Sequence, residues 1–400
     1  AGSFGNNGLS PQALWPVWRS VLLNQFHDIL PGSSIHRVYE EAEAAYAEAL
    51  TQANQAIHNA LDVLVTDEPG QIFFNSLPWP RNAVFTQDGV LAQVEVPACG
   101  WAIAKGSTQK GNAKAQLYPA GFTLENEYLT ARFDGQARLT SLLEKDSGRE
   151  WMAGLGNDLL LYKDVPTKWD AWDLDSMAEL QPVVCSEPAA FELGRQDPYQ
   201  VEVLVKRMIG HSLLRQTITL RNGSRRIDFE TQIDWQESHR MLKVAFPVDV
   251  HTTEAISEIQ FGHLRRPNHR SRQYDQDRYE ISNHKWTALA EEARGAAVLN
   301  DCKYGLSALG KSINLTLLKS AMAPDMTADK GLQTFTYSLY TWNGPFSQSG
   351  VVREAYDLNI PLQGINGRTA TERGSFFTLD RENIVIEALK PAEDGSGDLI

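Results

Sequence analysis

A chain of 400 residues with 42% hydrophobic and 22% charged residues can bury two or three ordinary globular cores. Its formal net charge of −13 and pI near 5.2 argue against nucleic acid or an anionic membrane surface as a partner. No apolar run approaches a transmembrane span, and the three scattered cysteines, Cys99, Cys185 and Cys302, suggest neither a disulfide framework nor a thiolate zinc site, so a reducing cytoplasm is the simplest compartment.

The first predicted element is a helix from about residue 10 to 30. Ser10-Pro11 suits a cap and first turn, Pro16 delays the true start, and Leu14, Trp18, Val21, Leu22 and Phe26 share one apolar face. The second runs from Ser34 to about Leu64, where Ile35, Val38, Ala42, Ala45, Ala49 and Ala53 form a stripe at three- and four-residue intervals. Its length would be roughly 45 Å. Two helices cannot cover both stripes, so a further packing partner is expected. Between them Pro31-Gly32 breaks the helical path, and Ser33 or Ser34 can cap the second helix. His27 and Asp28 therefore lie at the corner. An imidazole there can ligate a metal and the adjacent carboxylate can ligate or hold a hydroxyl, but for such a pair taken alone a buried histidine beside an N-capping or salt-bridged aspartate is the commoner arrangement.

After Val65 the texture changes. Thr66-Asp67-Glu68-Pro69-Gly70 has linker composition. Short alternating segments follow, among them 71–75, 92–96, 128–133, 200–205, 215–220, 226–235 and 333–340, with turns such as Asn222-Gly223-Ser224. Gly106 to Ala115 reads as a flexible loop or boundary. The expected fold class is α+β, mainly β: an N-terminal helical hairpin followed by antiparallel β-sandwich domains. The expected partition is 1–66, 67–115 and 116–400.

Several motifs, in colinear order, resemble glycoside hydrolase family 38. Gln25-Phe26-His27-Asp28-Ile29-Leu30-Pro31-Gly32-Ser33-Ser34-Ile35 resembles the His-Asp motif that opens the family's central helical domain. Phe74-Asn75-Ser76-Leu77-Pro78-Trp79-Pro80-Arg81 resembles the opening of its β region, and Leu124-Glu125-Asn126-Glu127-Tyr128-Leu129 with Leu139-Thr140-Ser141-Leu142 resembles its first hairpin. Trp169-Asp170-Ala171-Trp172-Asp173, Phe261-Gly262-His263 and Asn300-Asp301-Cys302-Lys303-Tyr304-Gly305 have counterparts as well. The resemblance implies a zinc-dependent retaining α-mannosidase acting on terminal α-mannosyl residues of a mannose-containing oligosaccharide. It implies that His27 is one of four zinc ligands and that Asp28 reaches the bound sugar. It also implies an upstream catalytic barrel carrying a His-x-Asp pair, the nucleophile and the acid-base carboxylate. No His-x-Asp occurs here, so this chain is expected to be the second half of the enzyme and inactive alone.

Other candidates are weaker. Trp172 and Asp173, beside Trp169 and Asp170, can stack on and hydrogen-bond a sugar, or cap a sandwich. Asp301 and Lys303 can lean toward a substrate, or form a solvated hairpin. Asp325, Thr327, Asp329 and Gly331 lack the bidentate glutamate of a calcium loop and read as a turn. A metal phosphohydrolase of the His-Asp type would need further ligands on neighbouring helices, which the β-rich remainder does not offer. A non-catalytic carbohydrate-binding module is the principal alternative. The missing initiator Met and the end at Asp398-Leu399-Ile400 suggest a fragment, whose cut surfaces would leave room for oligomer contacts.

Overall fold

The computed structural model describes residues 11–87, 90–106, 111–381, 383–392, 394, 396 and 398–400. The proposed Ser10 cap and residues 107–110 of the expected loop lie outside them. The chain divides into two compact units, Ala1–Gln109 with Ile360–Ile400, and Lys110–Asn359.

In the first unit a short 3-10 turn at Pro11–Leu14 leads into helix α1 (Trp15–Leu23), and helix α2 spans His36–Asp62. Pro16 sits in the first turn of α1, where its missing N–H costs nothing. Helix α1 is shorter than its apolar stripe suggests: the residues after Leu23 form successive tight turns instead. No residue of α1 is buried, and α2 buries only Ala42, Ala49 and Ala56.

Among the described residues, the larger of this unit's two sheets has four strands in the order 363–368, 66–75, 100–103, 373–375, and strands 81–87 and 90–96 pair in a second. The expected linker 66–70 is therefore the start of a strand. Thr66 pairs with Arg368, and an irregularity before Gln71 absorbs Pro69 and Gly70, which a regular ladder could not hold. Ile72, Phe74 and Ile103 pack on one side with Leu61 of α2, while Phe73, Phe85 and Val96 form a second small core. Residues 363–375 thus group with the N-terminal unit and not with 116–359, to which chain order assigned them. Pairing between positions 302 apart leaves no local sequence signal.

The second unit is a β-sandwich. A nine-stranded sheet contains the neighbouring strands Gln200–Ile209, Ser212–Arg221, Arg226–Trp235 and Gly331–Asn343, and a six-stranded sheet is centred on Arg240–Pro247 and Ser312–Lys319. These pairings are antiparallel, as alternation predicts. The sheets meet through aromatic rings: Phe229 lies 5.2 Å from Tyr337 and 5.6 Å from Phe246 of the opposite sheet. Tyr337, fully buried, reaches Asn157 Oδ1 at 2.6 Å and receives the Gln216 amide at 2.8 Å, so its hydroxyl is satisfied within the core. A short helix, α3 (Val351–Asn359), which alternation did not reveal, buries Val351 and Ala355 against Trp286 and Trp342.

Candidate functional site

The corner between α1 and α2 is organised by the backbone carbonyl of Asp28. Ser33 N–H (3.2 Å), Ser34 Oγ (2.8 Å) and the Tyr39 hydroxyl (3.2 Å) all donate to it. Tyr39 in turn accepts the Ser34 N–H at 2.7 Å, tying the first turn of α2 to the corner. Asn24, buried at the end of α1, turns its amide onto the Ser20 carbonyl at 3.0 Å and closes that helix. Gly32 takes φ +80°, which allows the reversal. Ser33 and Ser34 were expected to cap α2; the residue at that position is Ile35, with no side-chain cap, and both hydroxyls face Asp28.

This clamp aims two functional groups outward. The His27 imidazole is 79% exposed, and its Nε2 lies 3.8 Å from Asp28 Oδ2. Its ring is tilted against Phe26 at 4.2 Å. Asp28 Oδ1 accepts from Ser33 Oγ at 3.2 Å, which leaves Oδ2 toward the imidazole and solvent. One nitrogen and one carboxylate oxygen side by side form a donor pair that suits zinc. They are too few to hold it, and among the described residues no group of three His, Cys, Asp or Glu side chains could hold a metal ion. Trp18, Leu22, Leu23, Phe26, Leu30 and Ile35 expose large apolar surface around the same corner.

In the second unit, Trp172 and Asp173 lie in one turn, closed by their backbone N–H groups on the Trp169 carbonyl, each at 2.8 Å. Trp169 and Trp172 form an edge-to-face pair at 6.4 Å, and both rings are more than half exposed. They line a cleft of about 530 Å³ with Asp170 and His239. Asp170 Oδ2 lies 3.0 Å from His239 Nε2 and accepts the Met322 N–H at 2.6 Å. Trp169 and His239 have φ of 56° and 50°, an uncommon backbone for such residues and one that clusters at functional sites. The Asp173 carbonyl, not its carboxylate, accepts Lys319 Nζ at 2.9 Å. The same ammonium donates to Asp164, whose carboxyl burial nevertheless pushes up.

Asp301 and Lys303 occupy a different turn. Asp301 Oδ2 accepts the Thr336 N–H at 2.9 Å, and Asp301 lines a depression on the face of the nine-stranded sheet. Lys303 is held by its N–H on Asn300 Oδ1 (2.8 Å), with Nζ 4.6 Å from the centre of the Phe335 ring. Trp172 and Asp301 thus open on separate depressions of the same unit. Asp325 holds the Thr327 N–H at 2.8 Å, in keeping with a turn. Sequence reasoning missed Tyr39 and His239. The first is an aromatic one turn inside a helix, and the second lies 69 positions from its partner, so no spacing rule marks either.

A family model described as "Alpha mannosidase middle domain" matches residues 5–64, and one described as "Glycosyl hydrolases family 38 C-terminal domain" matches residues 124–327. The chain is 36% identical over 411 residues to Alpha-mannosidase 2C1 of Homo sapiens, covering 96% of this chain and 40% of that protein. It is 29% identical to Alpha-mannosidase G of Dictyostelium discoideum, covering 97% of this chain and 42% of the relative. It therefore spans about 40% of the length of these relatives. The crystal structure of an alpha-mannosidase from Enterococcus faecalis V583 superposes with a TM-score of 0.78 over 98% of this chain and 58% of that one, at 14% identity, which shows a shared fold.

Proposed function

The chain belongs to glycosyl hydrolase family 38, and from that premise we propose that it is the central and C-terminal part of a zinc-dependent retaining α-mannosidase. The carrying observation is its 36% identity to an alpha-mannosidase over 96% of its length. The substrate in this reading is a terminal α-mannosyl residue of an oligosaccharide. The nucleophile and the acid-base carboxylate come from a catalytic barrel, the main partner of this chain, and no residue here takes either role. The compartment is cytoplasmic, which suits three cysteines that remain free thiols. Among the described residues no helix is long and apolar enough to cross a membrane.

His27 ligates zinc through an exposed ring nitrogen, completing a set whose other members lie in the barrel. The bound metal supplies a Lewis acid that holds sugar hydroxyls. Asp28 accepts a hydrogen bond from a mannose hydroxyl, its orientation fixed by Ser33 through Oδ1 and by the clamp on its carbonyl. The exposed apolar residues of α1 pack on the barrel and exclude water from the corner. Trp172, Asp173, Asp301 and Lys303 supply further sugar contacts from the β unit.

Metal analysis of the longer protein tests this reading. His27→Ala should lower zinc content and activity on an aryl α-mannoside together. Asp28→Asn should keep the zinc and weaken sugar binding by about 1.5–3 kcal/mol, the worth of a charge-assisted hydrogen bond. Full zinc occupancy in His27→Ala would make the corner structural. The 400-residue chain itself should show no hydrolysis, and turnover surviving His27→Ala would place the active site elsewhere.

A further inference from the structure

One face of the nine-stranded sheet carries polar side chains that the fold does not use. The registers set Lys206, Arg215, Gln232 and Thr334 in one row across four strands. The next row is Leu204, Thr217, Glu230 and Thr336, with Glu192 beside Leu204. Together they floor a depression of about 800 Å³, bordered by Asp301.

Two features set this face apart from a merely wet sheet surface. Lys206 and Arg215 stand directly opposite each other, a like-charge pair that destabilises a sheet. Among the described residues, the side chains of Lys206, Arg215, Glu192 and Glu230 make no hydrogen bond or ion pair, although Glu230 is diagonal to Arg215. One row further along the same strands the opposite holds. Asp228 there is gripped by Arg221 and Arg226 and accepts the Ser338 hydroxyl at 2.6 Å. These strands pair their charges where stability alone is at stake, and leave them open around the depression. Asp301, at the border, is held by the fold instead: Oδ2 accepts the Thr336 N–H and Oδ1 is buried beside the Cys302 thiol.

Two cations face three carboxylates, so the field selects neither a strong anion nor a cation. A neutral polyhydroxylated molecule can use the four open groups, accepting from Lys206 and Arg215 and donating to Glu192 and Glu230. The threonine methyls and Leu204 suit the C–H face of a pyranose. We propose that this sheet face is a binding site for a neutral oligosaccharide. The choice of a mannose-containing ligand rests on the functional reading above; the neutral polyol chemistry rests on the face itself.

Titration of the 400-residue chain with linear α-mannotriose, followed by calorimetry and ligand-observed NMR, tests the site. Saturable binding is expected, weakened at least about tenfold in Arg215→Gln/Glu230→Gln. Lys206→Gln should weaken binding while leaving the melting temperature unchanged or higher, because it removes the like-charge pair; a structural role would lower both. If mannotriose fails but maltotriose or cellotriose binds and the face variants lose it, the site stands and the mannosidase reading is what suffers. If no neutral oligosaccharide saturates, or the face variants bind as the parent does, the proposal is overturned. It is likewise overturned if Trp172→Ala alone abolishes binding, since the ligand then sits in the tryptophan cleft.

Discussion

Trp235, in the nine-stranded sheet, is fully buried, whereas Trp18 on α1 keeps 59% of its surface exposed. The two residues stand for two ways of using apolar surface within one chain. In the sandwich, aromatic rings from both sheets interlock, and Gln216, Tyr337 and Asn157 satisfy one another among them. In the helical hairpin, α1 buries nothing and the long helix buries three alanines. A sandwich of this kind carries its own stability. The hairpin's large side chains contribute little until something covers them, and they lie on the two helices that flank the corner where the His27 imidazole and the Asp28 carboxylate face outward.

The sharpest way to break this contrast is a pair of truncations read by denaturant unfolding. Trp235→Ala should cost about 3–5 kcal/mol through lost burial and the cavity left behind. Trp18→Ala should stay within about 0.5 kcal/mol in this chain. An equal loss at both would mean that the hairpin face is already packed.

Charge sharpens the contrast next. Asp228 is buried between Arg226 and Arg221, and although burial opposes ionisation, the two guanidiniums hold its carboxyl below the ordinary carboxylate range. Asp228→Asn should therefore cost about 3 kcal/mol. The sign with pH follows from a depressed folded value. The contribution is complete above the unfolded pKa of about 3.9 and is lost as pH falls through the lower folded value. Acid unfolding of the parent should steepen below about pH 4, and the variant should lack that component. Glu354, on the same Arg226, works in the other direction: burial pushes its carboxyl up, and protonation relieves it.

Smaller effects belong to the hairpin. Tyr39→Phe removes the acceptor of the Ser34 N–H and one donor to the Asp28 carbonyl, for about 1 kcal/mol, with faster amide exchange at Ser34 as the local readout. His27→Ala should be neutral within about 0.5 kcal/mol, since its ring is largely exposed and packs only against Phe26. A clear drop in melting temperature would reassign His27 to the structure of the corner.

Local pattern and distant contact explain what the sequence disclosed. Arg226–Trp235 was legible to the residue because a ten-residue alternation with a Gly-Ser turn before it admits few other readings. Both helices were legible as helices, but α1 ends at Leu23, since Asn24 and the Asp28 carbonyl reward turns that periodicity does not register. The first half of the strand at 66–75 was hidden by Pro69-Gly70, and the strand at 363–368 carries Gly364 and Gly367, poor strand formers that its partner strand nonetheless holds. At the candidate site, His27 and Asp28 stood out through a resemblance, not through chemistry alone. His239 had no such mark; only folding places it against Asp170.

The pairing of Thr66 with Arg368 also sets a schedule for synthesis. A ribosome adding about 5–20 residues per second needs roughly 15–60 s to deliver the strand at 363–368 after the one at 66–75 has emerged. Throughout that interval Ile72, Phe73 and Phe74 lack a neighbour on one edge, while the whole of 110–359 appears and can complete its own sandwich. Of the two units, the one whose synthesis begins earlier is therefore the later to close, and the edge of its strand at 71–75 stays open in the meantime.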